Sequence, residues 1–479
     1  MALHVKVING NKYVYDVKSY RDKDTKKVKK KCVYMGVCIN EETKEYRPKK
    51  QEFINTQKAS GTEDANKQIV NYGDANILWE CLKKSPLFTA FMKILPPFSD
   101  SFLAMLFYKV IDGAASCHAS TWLEGNYTKI LFPGADLNSQ RVSELLAKLG
   151  NENVQRAFFK TFISEISGTK GEVVIDSTGL ENEIDIPLTE YSGKNEQSET
   201  KLIMVIDRIT HMPLNFRLVA GNIADVSTLT TTFTLAKNFG LNPTMTVMDA
   251  GYYSFENIRV LCSMGISFLT RLPAGRKLYK NVIDQTSATL ETPKNITIYN
   301  KRSIFVQRVK VDLYGYAGFA YVCQDIKEIG RRKDKFFRDA KEDKLSDAEI
   351  AEKLPYVGKF VLVSNKELTS DELLPLYYAR QSAENAFGFS KANLNLLPLR
   401  VHTTQNLKGY IFLCYLALLL SLEIQSNLKG LCSLQDALKL AHNQFCEIYD
   451  SEIIPLEPNR RLKEVYEKLN LVVVNESGD

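Results

Sequence analysis

The sequence predicts a mixed α/β protein, and three observations lead to that prediction. A short apolar run at residues 173–176 ends on an aspartate before a turn, as a buried strand does. Residues 244–249 repeat that arrangement farther along the chain. In this region three strand-like runs, a helical run, another strand-like run and another helical run follow one another. Such an order indicates a mixed sheet packed against helices.

The first residues indicate small antiparallel β-structure. Residues 5–8 precede Asn9-Gly10, a type I′ hairpin signal, and residues 12–17 alternate as a strand. Between Lys18 and Lys31 there are eight basic residues against two aspartates. We predict that this basic hairpin contacts DNA phosphates, and a solvated loop on an accessory domain is the alternative. The lysines concerned are Lys26, Lys27, Lys29, Lys30 and Lys31.

From about residue 74 to residue 168 the apolar positions follow a helical period. One helix is predicted to begin at Ser85-Pro86 and another at Asn138-Ser139. The second leaves polar and basic side chains off its apolar face, so it is either a DNA-recognition helix or only a packing element. We predict a helical DNA-binding region here.

The regular alternation stops for about a hundred residues after the strand-like run 266–270. Residues 294–323 contain alternating runs rich in tyrosine, phenylalanine and valine, and residues 325–353 form a dense mixed-charge run. A run of that kind is typical of a solvated helix. We predict that residues 273–371 are a β-rich domain inserted into the topology of the sheet.

A helical run follows at residues 377–391, and at 100° per residue four of its polar side chains share a stripe about 60° wide. They are Tyr377, Arg380, Glu384 and Lys391. A charged stripe is often only the solvated edge of an amphipathic helix. The other interpretation is a surface that holds a phosphate backbone beside a metal-binding carboxylate. Two aspartates upstream favour this second interpretation.

Those aspartates are Asp176 and Asp249, which with Glu384 make three carboxylates from separate parts of the chain. Converging carboxylates repel one another unless cations neutralise them. Oxygen-rich sites of this kind suit Mg²⁺ or Mn²⁺. Two such ions about 3.5–4 Å apart activate an attacking oxygen and stabilise a leaving one in phosphodiester chemistry. The residues therefore predict a site for two Mg²⁺ ions, which Mn²⁺ is able to replace.

Three other aspartates compete for the same role. Asp207 also ends a strand-like run, but Arg208 follows it as a local partner, so we predict a structural role. Asp185 lies in a polar loop and is predicted to face solvent. Asp225 precedes a helical run and is predicted to be its cap.

The sequence argues against a zinc site and against a membrane-spanning segment. The nine cysteines are scattered singly with no secretory signal before them, as in a cytosolic protein with reduced thiols. Cys32 and Cys38 have no second pair of metal ligands, so we expect no zinc site. The most apolar run, 410–422, is shorter than the roughly 20 residues that span a membrane, and it predicts a buried helix. The net charge of +6 permits nucleic-acid binding without requiring it.

The spacing Tyr377-x2-Arg380-x3-Glu384-x6-Lys391 resembles the YREK signature of bacterial cut-and-paste DDE transposases of insertion-sequence family four, and it matches at every position. Two more segments are similar to that family. One is Asp249-Ala-Gly-Tyr252 after a strand, and the other is Gly221-Asn-Ile-Ala-Asp225 before a helix. The resemblance extends over residues 172–422.

The resemblance implies an RNase H-like core interrupted by an insertion domain before the catalytic glutamate, with the three carboxylates as catalytic and metal-binding residues. It implies a transposase that binds the terminal inverted repeats of its element as a homodimer in the synaptic complex. This enzyme would cleave DNA at the ends by metal-dependent hydrolysis and join them to target DNA. Tyr377, Arg380 and Lys391 would contact DNA phosphates beside the active site.

The sequence departs from some members of that family in its tryptophans. Those relatives stack a tryptophan of the insertion domain on a flipped base, whereas Trp79 and Trp122 lie outside residues 273–371. Whether the reaction passes through a DNA hairpin intermediate is therefore left open. The aromatic residues that would take the place of the tryptophan are Tyr299, Phe305, Tyr314, Tyr316, Phe319 or Tyr321.

We expect six segments and a cytoplasmic, nucleoid-associated protein of a bacterium or archaeon, without a membrane partner. The segments are a basic β-hairpin that contacts DNA (1–58), a helical DNA-binding region (59–168), the first part of the catalytic core (169–272), the insertion domain (273–371), the second part of the core with the YREK helix (372–427) and a C-terminal helical tail (428–479). Two alternatives stay open: a catalytically idle DNA-binding descendant of a transposase, and a metal-dependent nuclease without strand transfer. The intact carboxylate triad favours an active transposase.

Overall fold

The computed structural model describes residues 3–8, 11–21, 28–41, 43–48, 67–94, 99–166, 171–191, 198–449 and 452–472. The chain divides into two compact units. The first consists of Met1–Ile69 with Glu447–Ile454, and the second of Val70–Cys446 with Pro455–Asp479.

The described residues contain seventeen strands. In chain order they are β1 (Leu3–Ile8), β2 (Asn11–Arg21), β3 (Val28–Asn40), β4 (Glu45–Pro48), β5 (Lys67–Asn71), β6 (Glu172–Asn182), β7 (Glu190–Tyr191), β8 (Ser198–Asp207), β9 (Pro213–Ala220), β10 (Met245–Met248), β11 (Ser267–Arg271), β12 (Ile296–Tyr299), β13 (Arg302–Leu313), β14 (Tyr316–Asp325), β15 (Lys359–Ser364), β16 (Phe445–Tyr449) and β17 (Glu452–Pro455).

The same residues contain seventeen α-helices. In chain order they are α1 (Gly73–Lys84), α2 (Pro86–Ile94), α3 (Ser99–Ile111), α4 (Ala119–Glu124), α5 (Thr128–Leu131), α6 (Ser139–Leu149), α7 (Glu152–Glu165), α8 (Leu229–Asn238), α9 (Phe255–Ser263), α10 (Lys277–Thr286), α11 (Ile326–Glu342), α12 (Asp347–Lys353), α13 (Ser370–Tyr378), α14 (Gln381–Ala392), α15 (Thr404–Asn427), α16 (Leu434–His442) and α17 (Arg460–Lys468).

The first unit is built on an antiparallel sheet in the order β1-β2-β3-β4. Strands β2 and β3 pair from Tyr13 opposite Val37 to Arg21 opposite Val28, so two long neighbouring strands form the centre of the sheet. The same unit contains most of a three-stranded sheet in the order β17-β16-β5.

The second unit contains a ten-stranded mixed sheet, which agrees with the predicted α/β class. Its order is β12-β13-β14-β15-β11-β10-β6-β8-β7, with β9 paired to β8. Strands β6, β10 and β11 are parallel neighbours, whereas β6, β8 and β9 form an antiparallel meander. The parallel strands are buried on both faces, which explains why the sequence shows them as continuous apolar runs.

The strands of residues 273–371 belong to this same sheet. Strand β14 pairs with β15, and β15 pairs with β11, so the segment continues the sheet beyond its parallel part. The helices α11 and α12 connect β14 to β15. The mixed-charge run is mostly exposed helix, as its charge density predicts. The six-segment division of the chain stays a prediction.

Helix α15 contributes more buried residues than any other described helix of the second unit. Within the described residues it is the one helix long and apolar enough to cross a membrane, and 83% of its most apolar stretch is buried inside the protein. It is therefore a core helix. It is also longer than the apolar run at 410–422, because polar residues at both ends continue the helical backbone.

Helices α6 and α15 touch through their backbones. A Cβ atom added to Gly409 would lie 1.8 Å from the carbonyl oxygen of Leu146, and one added to Gly150 would lie 2.0 Å from that of Gln405. No side chain fits at either position, so both glycines are needed for the helices to approach this closely.

Candidate active site

The register of two parallel strands places Asp176 and Asp249 side by side. Ile175 of β6 is opposite Met248 of β10, and each of these residues is followed by one of the two aspartates. Equivalent positions on neighbouring parallel strands lie on the same face about 4.8 Å apart. The structure thus brings together two of the three predicted carboxylates.

The predicted position of Asp176 at the end of a strand is wrong. Strand β6 continues to Asn182, because β8 remains its partner after β10 has ended. Asp176 lies opposite Met204 of β8. It is therefore at the end of the parallel pairing and in the middle of the antiparallel pairing.

The third carboxylate, Glu384, is linked to this pair through Arg380. The Arg380 guanidinium donates to the carboxylate of Asp249 and, over 3.0 Å, to that of Glu384. The arginine side chain is 21% exposed, whereas Asp249 and Glu384 are 45% and 47% exposed. One partly buried cation thus holds two accessible carboxylates together.

Asp176 is the most buried of the three acids. The pKa of Asp176 is raised to about 6, mainly by burial, and the nearby charges of Asp249 and Glu384 contribute to the rise. The Ser177 amide, which donates to Asp176 over 2.9 Å, and Arg380 act in the opposite direction. The shift therefore reflects burial first and the neighbouring acids second.

The predicted continuous helix at 377–391 is two helices. Helix α13 ends at Tyr378 and α14 begins at Gln381. The amide of Ser382 donates to the carbonyl of Ala379 over 3.0 Å, three residues back, so the turn between the helices is tighter than an α-helical one. Arg380 lies in that turn, which is why its side chain reaches Asp249 rather than continuing a straight stripe.

Tyr377 precedes Glu384 in the chain and Lys391 follows it. The Lys391 ammonium donates to the Thr178 hydroxyl over 2.9 Å and to the Gly179 carbonyl over 3.1 Å, so it fixes α14 to β6 just beyond Asp176. Tyr377 stacks on Phe360 of β15 with ring centres 5.7 Å apart. Both side chains remain partly exposed.

A cavity of about 620 Å³ opens beside Glu384 and Tyr377. Its basic lining residues are Arg271, Arg302, Arg331, Arg332 and Lys359. Two of these are neutralised locally, since Arg302 pairs with Asp325 and Arg331 with Glu328. Aromatic faces come from Phe360, Tyr377 and Tyr378. A cationic cavity with aromatic walls suits a nucleic-acid strand.

None of the cavity's basic residues was singled out from the sequence. Arg302, Arg331, Arg332 and Lys359 belong to residues 273–371 and reach the site because the sheet pairs β15 with β11. Six aromatic residues of this segment were proposed to stack on a flipped base. Tyr321 does not suit that role, because its side chain is 1% exposed. Tyr299 instead stacks on Tyr378, with ring centres 5.1 Å apart.

Asp225 is part of the site's support rather than the predicted helix cap. Helix α8 begins at Leu229 after a short 3-10 turn, and the Asp225 side chain caps neither. Its carboxylate accepts from the Ser177 hydroxyl over 2.8 Å and lies 3.1 Å from the Lys201 ammonium. Ser177 follows Asp176, so its hydrogen bond to Asp225 anchors β6 at the site. In the sequence, the motif Gly221-Asn-Ile-Ala-Asp225 was the signal that could have indicated this role.

The other two competing aspartates do not join the site. Asp207 accepts from the amides of Ile209 and Thr210, over 3.0 and 2.7 Å, so its role is structural as predicted. Its predicted partner was wrong, because Arg208 pairs with Glu172 instead. Asp185 is exposed, as predicted.

The predicted basic hairpin is described only in part. Lys26 and Lys27 lie outside the described residues. The backbones of Lys29, Lys30 and Lys31 belong to β3 and pair with β2. DNA contact by these five lysines stays a prediction.

The chemistry of the three carboxylates fits a divalent metal ion. They supply only oxygen ligands, and a bound cation would favour the charged form of Asp176, whose pKa is raised mainly by burial. Within the described parts of the chain, no group of three His, Cys, Asp or Glu side chains is already arranged to hold a metal. Arg380 instead binds two of the three acids.

Comparison with known proteins defines the class of the chain. Residues 167–420 match the family model described as "Transposase DDE domain". The match covers more than half of the chain and includes all three carboxylates.

The protein belongs to this family of DDE transposases. Such enzymes cut and join DNA and generally depend on divalent metal ions. No curated protein matches the chain.

One solved structure that matches is described as "Cryo-EM structure of piggyBac transposase synaptic complex with hairpin DNA". The alignment covers 77% of this chain and 70% of that one, with 11% sequence identity and a TM-score of 0.36. A TM-score this low supports no conclusion about function.

Proposed function

We propose that the protein is a cut-and-paste transposase of the YREK type, of insertion-sequence family four, from a bacterium or archaeon. It binds the terminal inverted repeats of its element as a homodimer, cleaves DNA at the ends and joins them to target DNA. The observation that carries the proposal is the placement of Asp176 and Asp249 at one level of two parallel strands, with Glu384 joined to them through Arg380. An RNase H-like core is part of this proposal.

Asp176, Asp249 and Glu384 are the proposed catalytic and metal-binding residues. Two Mg²⁺ ions held by them would activate the attacking oxygen and stabilise the leaving one. Three carboxylates beside a basic, aromatic cavity support this assignment over a catalytically idle DNA-binding protein. Such a protein has no need of an accessible cluster of acids that repels phosphates.

The chain's own side chains bind and orient the DNA. Lys391, fixed to β6 by two hydrogen bonds, presents a positive charge next to the site. The basic cavity extends this positive surface past Glu384 and Tyr377. The lysines of residues 1–58 are also proposed to contact backbone phosphates. Together these charges position a phosphodiester beside the carboxylates and release counterions on binding.

The metal requirement tests the proposal. Purified protein is expected to cut a duplex carrying the DNA that flanks its coding sequence when Mg²⁺ or Mn²⁺ is present. With Ca²⁺ it is expected to bind that duplex with little cleavage, because Ca²⁺ is larger and accepts looser geometry. Cleavage is measured on denaturing gels that also resolve joined products. Full activity in chelator, or a requirement for zinc, would falsify the assignment, and cutting without joining would favour the nuclease alternative.

Arg380 is expected to compete with metal ions for Asp249 and Glu384. Arg380→Ala should bind Mn²⁺ about fivefold more tightly, because an ion pair of partly exposed groups is worth up to about 1 kcal/mol. The same variant should bind DNA more weakly, since a phosphate-contacting cation is lost. Calorimetry on DNA-free protein measures the first effect. Arg338→Ala, which removes an exposed arginine paired with Asp334, is the matched control. Unchanged Mn²⁺ affinity would argue against competition at these carboxylates.

A further inference from the structure

A second cavity, of about 700 Å³, lies where α3, α6 and the start of α15 meet residues 395–403. None of its lining residues belongs to the carboxylate site. Its described lining includes Lys109, Arg400 and His402 but no aspartate or glutamate. Hydroxyl and amide groups accompany these basic side chains, from Ser116, Ser139, Ser143, Thr403 and Asn406. A lining with hydrogen-bond donors and cations and without acids is suited to an anion.

Lys109 provides the clearest sign of a missing negative charge. It is 2% exposed, and its ammonium donates to the carbonyl of Asn395 over 3.2 Å and to the hydroxyl of Tyr410 over 2.9 Å. Both acceptors are neutral, and the ammonium lies 4.8 Å from the centre of the Tyr410 ring. Within the described residues no carboxylate forms an ion pair with this lysine. An ammonium group has three donors. A buried charge without an opposite charge is costly, so an anion in the adjoining cavity would stabilise it.

Two helices add positive potential at the same place. Helix α6 begins at Ser139, and α15 begins directly after its cap Thr403, and both residues line the cavity. The first turn of a helix carries unsatisfied amide groups and the positive end of the helix dipole. The buried lysine, the exposed Arg400 and two helix ends thus converge on one space.

We infer that this cavity is a phosphate-binding site, and that the phosphate is part of the backbone of the bound DNA. The second statement rests on the proposed transposase function. Residues 393–403 follow α14, which carries Glu384 and Lys391. Four residues, or at most about 14 Å of chain, separate Lys391 from Asn395. That span corresponds to on the order of four phosphates along one DNA strand. One DNA molecule at the carboxylates is therefore able to reach the cavity.

Arg400→Ala tests the site, because Arg400 is exposed and lies outside the carboxylate site. The variant should bind the flanking-DNA duplex about tenfold more weakly, the loss of one charge-assisted hydrogen bond. The slope of log affinity against log salt should fall by about one unit. Cleavage at saturating DNA should be unchanged. Arg460→Ala, at a 94% exposed arginine on α17, is the matched control and should alter neither quantity.

Inorganic phosphate, titrated into DNA-free protein by calorimetry, distinguishes the two sources of the phosphate group. In one outcome, phosphate binds to the wild type and not to Arg400→Ala, while the salt slope of DNA binding is the same for both proteins. The cavity would then be a phosphate site, but its ligand would be a free phosphate compound rather than DNA. If Arg400→Ala matches wild type in both assays, the inference is wrong. Failure of the transposase proposal is distinguishable from failure of this inference, because it would be seen as DNA cleavage that does not need Glu384.

Discussion

Replacing Glu384 with glutamine is expected to abolish DNA cleavage while DNA binding is retained. Glutamine has nearly the same shape, but it removes one of the three negative charges that are proposed to hold the metal ions. The cleavage rate should fall on the order of a thousandfold or more, since about 4 kcal/mol of lost transition-state stabilisation gives that factor. Binding without metal should be equal or slightly tighter, because a negative charge near the phosphates has gone.

Binding by gel shift and cleavage under single-turnover conditions measure the two effects separately. Glu352→Gln is the matched control, since Glu352 is 71% exposed and pairs with Lys280 at the surface. The control should cut DNA at the wild-type rate. Wild-type cleavage by Glu384→Gln would remove Glu384 from the catalytic residues and leave the chain with a different active site or none.

The pair of aspartates was predictable because parallel strands buried on both faces have a simple sequence pattern. The run before Asp176 is apolar, the run before Asp249 is apolar apart from two threonines, and each run ends on an aspartate followed by a turn. The apolar pattern does not show which strands pair with one another. Strand β6 therefore appeared to end at Asp176, although β8 carries its pairing on to Asn182.

The arrangement of residues 377–391 shows the limit of helical spacing as evidence. Spacing places Arg380 and Glu384 on one face, and they are indeed joined by an ion pair. It does not reveal the tight turn at Ala379 and Arg380. That turn depends on tertiary contacts, including the stacking of Tyr377 on Phe360 of a strand distant in the sequence.

Both cavities illustrate what sequence cannot supply. Their lining residues come from segments far apart in the chain, such as Arg271 and Arg332 in one and Lys109 and Arg400 in the other. Each residue alone resembles an ordinary surface cation. Only the pairing of β14, β15 and β11, and the packing of α15 in the core, place them together.

The close contact between α6 and α15 predicts the largest loss of stability from a single methyl group. Gly409→Ala places a Cβ atom 1.8 Å from the Leu146 carbonyl oxygen, and the atom it meets is backbone. The helices must separate, which exposes part of the buried face of α15. Overpacking of this kind costs roughly 1–3 kcal/mol, and a backbone clash belongs at the upper end.

Gly330→Ala is the matched control, because Gly330 lies within helix α11 and an added Cβ atom meets nothing within 4 Å. Alanine should stabilise that helix by about 0.5–1 kcal/mol relative to glycine. The two substitutions therefore have opposite expected signs in urea unfolding followed by circular dichroism. If Gly409→Ala unfolds at the wild-type urea concentration or above, the two helices are not in backbone contact. The buried position of α15, on which the phosphate cavity depends, would then need revision.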